Sequence, residues 1–220
     1  MLTQNFFDRD PQEVAKDLLG KVIRVKHGDI WLSASIIETE AYYIHDKGSH
    51  SSLGFTEKRK ALFMPAGTIY MYYARGGDSL NISCHGEGNA CLIKSARPYI
   101  DENTPGNMIE LMHSLNPLPG NRLREPDKLC SGQTLLCKSL GLKVPEWDKQ
   151  NFDPEQFYFE DVGYRATRII QARRLGIPLG RDEHLLYRYI DYDQALHCTH
   201  PPYGKKGFKQ GLEYVLHELK

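Results

Sequence analysis

The 220-residue chain contains no apolar run of transmembrane length and no excess of charge, with 28 Lys/Arg against 28 Asp/Glu. The first absence leaves no membrane-spanning helix to place. The second removes any global field toward nucleic acid or a membrane surface. Cysteine is also scarce: Cys84, Cys91, Cys130, Cys137 and Cys198 are odd in number and lack disulfide-like spacing. With no signal peptide at the start, reduced thiols in a cytoplasmic, intracellular protein are the expectation. His197, Cys198 and His200 lie close together, but no second Cys/His cluster completes a tetrahedral site, so no metal is expected. Internal repeats and low-complexity tracts are missing too. A single domain over residues 1–220 follows, long enough to bury one sizeable core.

The charge that is present lies unevenly. Tyr164 to Lys220 holds ten Lys/Arg and six Asp/Glu, whereas Leu140 to Gly163 holds two Lys and six acids. A local basic face and an ordinary solvated surface are both open readings. Asp10-Pro11 ahead of Val14, Leu18 and Leu19, with Gly20 beyond, predicts a short helix capped by Asp10. Residues 21–26 and 30–43 read as a hairpin, followed by a polar loop from Ile44 to Lys60 that holds His50 and Lys58-Arg59-Lys60. Met108 to Leu115 reads as a helix, and Ser131 as the N-cap of another running to Leu140. Phe157 to Phe159 and Arg165 to Gln171 suggest strands, and Leu212, Val215, Leu216 and Leu219 have helical spacing.

Two carboxylates stand out. Strand alternation places Leu32, Ala34, Ile36, Glu38, Glu40 and Tyr42 on one side. The first three mark that side as buried, and ionised groups there are expensive unless paired or used. The plainer alternative is a strand that emerges into solvent at Glu38. A second pattern lies in Thr68 to Ala96, where three strand-like runs are separated by Arg75-Gly76-Gly77-Asp78 and Gly86-Glu87-Gly88-Asn89. Two-residue turns at Gly76-Gly77 and Glu87-Gly88 would set Tyr72 opposite Asn81 and Asn81 opposite Lys94, a row across one sheet face. A one-residue change in either loop would move that row.

The motifs Glu38-Thr39-Glu40-Ala41-Tyr42, Ser49-His50-Ser51, Phe63-Met64-Pro65-Ala66-Gly67-Thr68-Ile69-Tyr70, Asn81-Ile82-Ser83, Gly86-Glu87-Gly88, Leu92 to Pro98 and Leu129-Cys130-Ser131-Gly132 together resemble the alkyladenine (3-methyladenine) DNA glycosylase family. The match is strong from Ile36 to Pro98, moderate around Cys130 and weak after Val144. It implies a single-domain α+β fold, with a curved antiparallel sheet, a protruding β-hairpin and flanking helices. It also implies a monofunctional enzyme that hydrolyses the N-glycosidic bond of alkylated or deaminated purines flipped out of duplex DNA. The implied partner is double-stranded DNA carrying a damaged purine, met by a monomer. No cofactor is implied, because water is the nucleophile.

Carried over residue by residue, the resemblance makes Glu40 the general base and Lys94 the helper that holds the water. Tyr42, His50 and Tyr72 become the walls around the base, and Asn81 the amide that screens its exocyclic group. Lys58, Arg59 and Lys60 become phosphate contacts. The family's hairpin carries a bulky tyrosine that wedges into the minor groove. Here Arg75 is the only long side chain at that place, with Asp78 set to compete for its guanidinium. Lys94 stands where the family commonly has an arginine, offering a point charge in place of a planar fork. Glu38 is the alternative base. A lesion-independent nucleic-acid binding module and a hydrolase of free nucleosides using both carboxylates are the competing functions.

Overall fold

The computed structural model describes residues 1–74, 76–203 and 208–219. Among these described residues, nine strands form one antiparallel sheet: β1 (Val22–His27), β2 (Ile30–Tyr42), β3 (Ile69–Ala74), β4 (Gly77–Ser83), β5 (Ala90–Pro98), β6 (Phe157–Glu160), β7 (Arg168–Ala172), β8 (Arg188–Asp191) and β9 (Tyr214–Glu218). The main path runs β3-β4-β5-β2-β8-β7-β9, with β1 paired to β2 and β6. Short helices flank it: α1 (Gln4–Phe7), α2 (Pro11–Asp17), α3 (Met108–Leu115), α4 (Gln133–Ser139) and α5 (Val144–Trp147). The α+β reading holds. Helix α2 begins as expected, with the Asp10 carboxylate accepting from the Gln12 amide at 2.8 Å and Pro11 in the first turn.

Strand β2 organises the sheet. One edge pairs with β5 along its C-terminal two thirds, while the other pairs first with β1 (residues 30–35) and then with β8 (residues 38–40). The change of partner coincides with two irregularities. The β2–β5 register runs Ile36↔Ala96, Glu38↔Ser95, Thr39↔Ile93, so Ile37 is an extra residue on β2 and Lys94 an extra residue on β5. These are paired β-bulges, which re-aim the side chains that follow. Before the bulge, Leu32, Ala34 and Ile36 face the main core; after it, Ala41 does, and the Thr39 hydroxyl donates to the Ala15 carbonyl of α2 at 2.8 Å. Strand β5 switches in step, with Cys91 and Ile93 in the core on one side of the bulge and Ala96 on the other.

The expectation that Glu38, Glu40 and Tyr42 continue the face of Leu32, Ala34 and Ile36 is therefore corrected. The bulge turns them to the opposite face, where buried polar groups gather.

Several other boundaries differ from expectation. Helix α4 starts after Gly132, whose φ of 111° suits a residue without a Cβ, and Ser131 is not its cap. Arg188–Asp191 is a strand that the sequence did not suggest. The C-terminal apolar set is strand β9, paired with β7 through Tyr214↔Ala172 to Glu218↔Arg168. Four apolar residues within eight positions fit helical spacing, but an open sheet edge captured the segment instead. The polar loop after β2 folds into two 3₁₀ turns, Ser51–Leu53 and Glu57–Phe63.

Phe7, Phe152, Phe157 and Phe159 form an aromatic cluster in the main core, with centroids 5.1–5.9 Å apart along its contacts. The Leu2 amide donates to the Phe159 carbonyl at 2.7 Å, tying the N-terminus to the same place. Phe159→Ala is expected to destabilise the protein by about 3–5 kcal/mol, read as a lower denaturant midpoint at unchanged slope. A loss below about 1 kcal/mol would show that the cluster does not anchor the fold.

Candidate active site

The re-aimed face forms the floor of a cavity of about 350 Å³. Tyr42, His50, Tyr70, Tyr72, Asn81 and Lys94 line it, together with Gln133 and the turn Leu175-Gly176-Ile177-Pro178. All five residues that the resemblance places around the base or the water thus meet at one cavity. The predicted row does not survive as drawn. Tyr70, not Tyr72, pairs with Asn81, and Leu92, not Lys94, pairs with Asn81. The β3–β4 turn is centred one residue earlier than expected, since Ala74 pairs with Gly77, and the β4–β5 loop spans residues 84–89. Each register moves by two, which preserves the face. Tyr72, Asn81 and Lys94 are diagonal neighbours on one side of the sheet.

The two carboxylates separate cleanly. Glu38, fully buried, takes the Arg188 guanidinium at 2.6 Å, the Thr199 amide at 3.0 Å and the Ser95 hydroxyl. Arg188 is itself 1% exposed and reaches the Thr199 carbonyl. Both oxygens of Glu38 are taken up by protein partners, which makes it a structural counter-ion.

Glu40, equally buried, accepts from the Tyr42 hydroxyl at 2.6 Å on one oxygen. On the other it meets the Lys94 ammonium at 3.4 Å and the Leu175 amide at 3.3 Å. Burial alone would raise its pKa. The charge of Lys94, the Tyr42 hydrogen bond, Arg188 and the Leu175 amide outweigh that and hold it below the ordinary value. Glu40 is not itself a lining group; Tyr42 and Lys94 stand between it and the cavity. Lys94 also donates to the Gln133 carboxamide oxygen at 2.9 Å, and Gln133 donates in turn to Ser79 at 2.8 Å. Gln133 was not foreseen.

Aromatic rings form the walls. The His50 ring meets Tyr72 edge-on at 4.4 Å, and its Nδ1 lies 2.9 Å from the Tyr70 hydroxyl. Burial, then the charges of Arg59 and Arg181, lower its pKa, so the ring is neutral at physiological pH. The Asn81 amide donates to the Tyr70 carbonyl at 3.3 Å. Neutral π-faces around a concave space suit a flat, electron-poor guest.

The expected phosphate contacts are less uniform. Lys58 is exposed, and Lys60 lies 3.9 Å from Glu57. Arg59 donates to the Leu53 and Gly54 carbonyls at 3.2 and 3.0 Å, so part of its capacity shapes the loop. Arg75 lies outside the described residues. Asp78, expected to compete for it, is turned inward, accepting from the Val144 amide at 3.1 Å with Lys143 at 3.8 Å. In the stretch from Tyr164 onward, Arg174 and Arg188 are buried and serve carboxylates, not a basic surface. The five cysteines are free and buried, and no group of His, Cys, Asp and Glu among the described residues could hold a metal ion. No helix among them is long and apolar enough to cross a membrane.

The methylpurine-DNA glycosylase family profile matches residues 5–195. A Pseudomonas aeruginosa protein bearing the name "Putative 3-methyladenine DNA glycosylase" is 59% identical over 215 residues, covering 98% of this chain and 90% of its own. A Pseudomonas savastanoi pv. phaseolicola protein of that name is 58% identical, covering 97% and 96%. One from an Anaeromyxobacter species is 30% identical, covering 80% of each. The chain belongs to the methylpurine-DNA glycosylase family.

Breaking the buried Glu38–Arg188 pair by Arg188→Met is expected to lower stability by about 3–5 kcal/mol, because a carboxylate is left uncompensated. Denaturant unfolding measures this. A change under about 1 kcal/mol would show that Glu38 does not need its partner.

Proposed function

We propose that this protein releases damaged purines from duplex DNA by hydrolysis, on a nucleotide rotated out of the helix into the aromatic cavity, and leaves an abasic site. The observation that supports this most is the Tyr42–Glu40–Lys94 cluster beneath a cavity walled by aromatic rings. A purine within the stack is out of reach of any side chain that acts at its sugar, so the nucleotide must leave the duplex first. Tyr42, His50 and Tyr72 then hold the base by its faces, and Asn81 screens the purine's exocyclic group, disfavouring guanine's amino group by a steric clash.

Loss of the base develops positive charge on the sugar. An ionised carboxylate in a water-poor setting stabilises such charge most effectively when already fixed in place. A lowered pKa makes Glu40 a weak base, so its larger contribution is electrostatic, with acceptance of the water's proton second. Lys94 keeps that carboxylate charged. Its contacts with two oxygen acceptors suit an ammonium, not a nucleophilic amine, which supports monofunctional action.

Excision from duplexes carrying 7-methylguanine, hypoxanthine or etheno-adenine tests the reading. Glu40→Gln is expected to reduce base release at least about 100-fold with DNA binding retained. Borohydride is expected to trap no covalent adduct. Equal release by both proteins would move the chemistry away from Glu40. Binding without release in the wild type would favour a lesion-independent binding module.

The pH profile is a separate check. His50 and Glu40 are both held below their ordinary values, about 6.5 and 4.3 respectively. Each then has its titration midpoint below about pH 6.5, so any acidic limb of kcat/KM for hypoxanthine is expected to have its midpoint below that value. An acidic limb with a midpoint above about 6.5 would contradict the assigned charge states.

A further inference from the structure

Arg174 has no part in the chemistry above, yet it is nearly as deeply buried as the groups that do. It is 4% exposed, and its guanidinium carbon lies 4.5 Å from the centre of the Tyr42 ring and 5.4 Å from that of Tyr187. Nη1 donates to the Ala41 carbonyl at 3.2 Å and pairs with the carboxylate of Asp46, which is 1% exposed. Nε and Nη2 are buried without a hydrogen-bond partner. Tyr42 lines the cavity and Arg174 does not, which puts the cation behind the ring. The pair is closely fitted: a methyl group at Gly48 would come within 3.1 Å of Arg174 Nη2, Asp46 Oδ1 and Ile177. The two loops involved are tied again by Arg181 donating to the Lys47 carbonyl at 2.7 Å and the Lys47 amide donating to Asp182 at 2.9 Å.

We propose that the Arg174–Asp46 pair determines specificity, placing a fixed cation behind Tyr42 that weakens the ring's hold on cationic bases and shifts selection toward neutral damaged purines. The inference rests on the reading of Tyr42 as a stacking wall. An aromatic face attracts a cation through its quadrupole. A second cation behind the same ring draws that electron density the other way, and the two positive charges repel across it. A neutral purine, stacked through dispersion and apolar contact, is largely indifferent to this. Asp46 sets the size of the effect, because its carboxylate offsets part of the guanidinium's charge. In so buried a setting the opposition is worth on the order of tenfold in relative rate.

The test is kcat/KM for release of 7-methylguanine, cationic in DNA, against hypoxanthine, neutral, from otherwise identical duplexes. Asp46→Asn strips the offsetting charge and is expected to lower the 7-methylguanine to hypoxanthine ratio several-fold. Arg174→Met combined with Asp46→Asn leaves no lone buried charge and is expected to raise the ratio about tenfold. Both lesions are read on one preparation, so a reduced folded fraction cancels. A purely structural role lowers both rates together; ratios that do not move would overturn the proposal. Tyr42→Leu separates the two layers of the argument. It is expected to depress release of both bases. Should it leave both at the wild-type rate, the stacking reading falls and the proposal with it. A depressed Tyr42→Leu with unmoved ratios in the pair variants overturns the proposal alone.

Discussion

Two carboxylates are buried two residues apart on one strand, and each must be neutralised where it lies. An ionised group without a partner in such a place is unfavourable by several kcal/mol, more than any single packing contact recovers. Glu38 meets this constraint with Arg188 from β8, Ser95 from β5 and the Thr199 amide. Glu40 meets it with Lys94, Tyr42 and the Leu175 amide. Apart from Tyr42 on β2 itself, these partners come from β5, β8 and the segments on either side of β8. Charge neutralisation therefore draws together parts of the chain separated by up to 161 residues, and the cavity forms where they meet.

The paired bulges make that arrangement possible. Were Ile37 and Lys94 ordinary paired strand residues, unbroken alternation would drive Glu40 and Tyr42 into the apolar core beside Leu32 and Ile36. With them, both strands change face together and the sheet stays hydrogen-bonded on either side. Lys94 is at once the bulged residue and the counter-ion of Glu40. The irregularity in the sheet and the electrostatics of the site are thus one feature. The difference between the two glutamates follows: Glu38 is enclosed by protein partners, while the partners of Glu40 reach the cavity.

Local chemistry was legible in the sequence where it is decided within a few residues. The Asp10-Pro11 start of α2, the bounds of α3 at Met108 and Leu115, and the strand character of residues 30–42 all follow from caps and periodicity. The shared face of Tyr72, Asn81 and Lys94 was also legible, even though both turns were misplaced, because a register shift of two leaves faces unchanged. That Tyr42, His50, Tyr72, Asn81 and Lys94 line one cavity, with Glu40 bonded to Tyr42 and Lys94, accords with the resemblance, whose motifs lie in the well-matched first half of the chain.

What tertiary structure alone decided concerns partners distant in sequence. Nothing near Arg174 or Arg188 marks them as buried; as sequence they belong to a basic stretch that reads equally well as surface. Only the sheet order β5-β2-β8 puts Arg188 against Glu38, and only the turn before β8 carries Arg174 behind Tyr42. A β-bulge is not fixed by one strand's own periodicity, because its energy resides in pairing with another strand. The same is true of β9, whose spacing satisfied a helix until an unpaired edge of β7 was available. The sequence by itself determined which residue types could perform the chemistry. Long-range pairing determined which of two neighbouring glutamates has partners that line the cavity, because burial and counter-charge are properties of the folded neighbourhood and not of the strand.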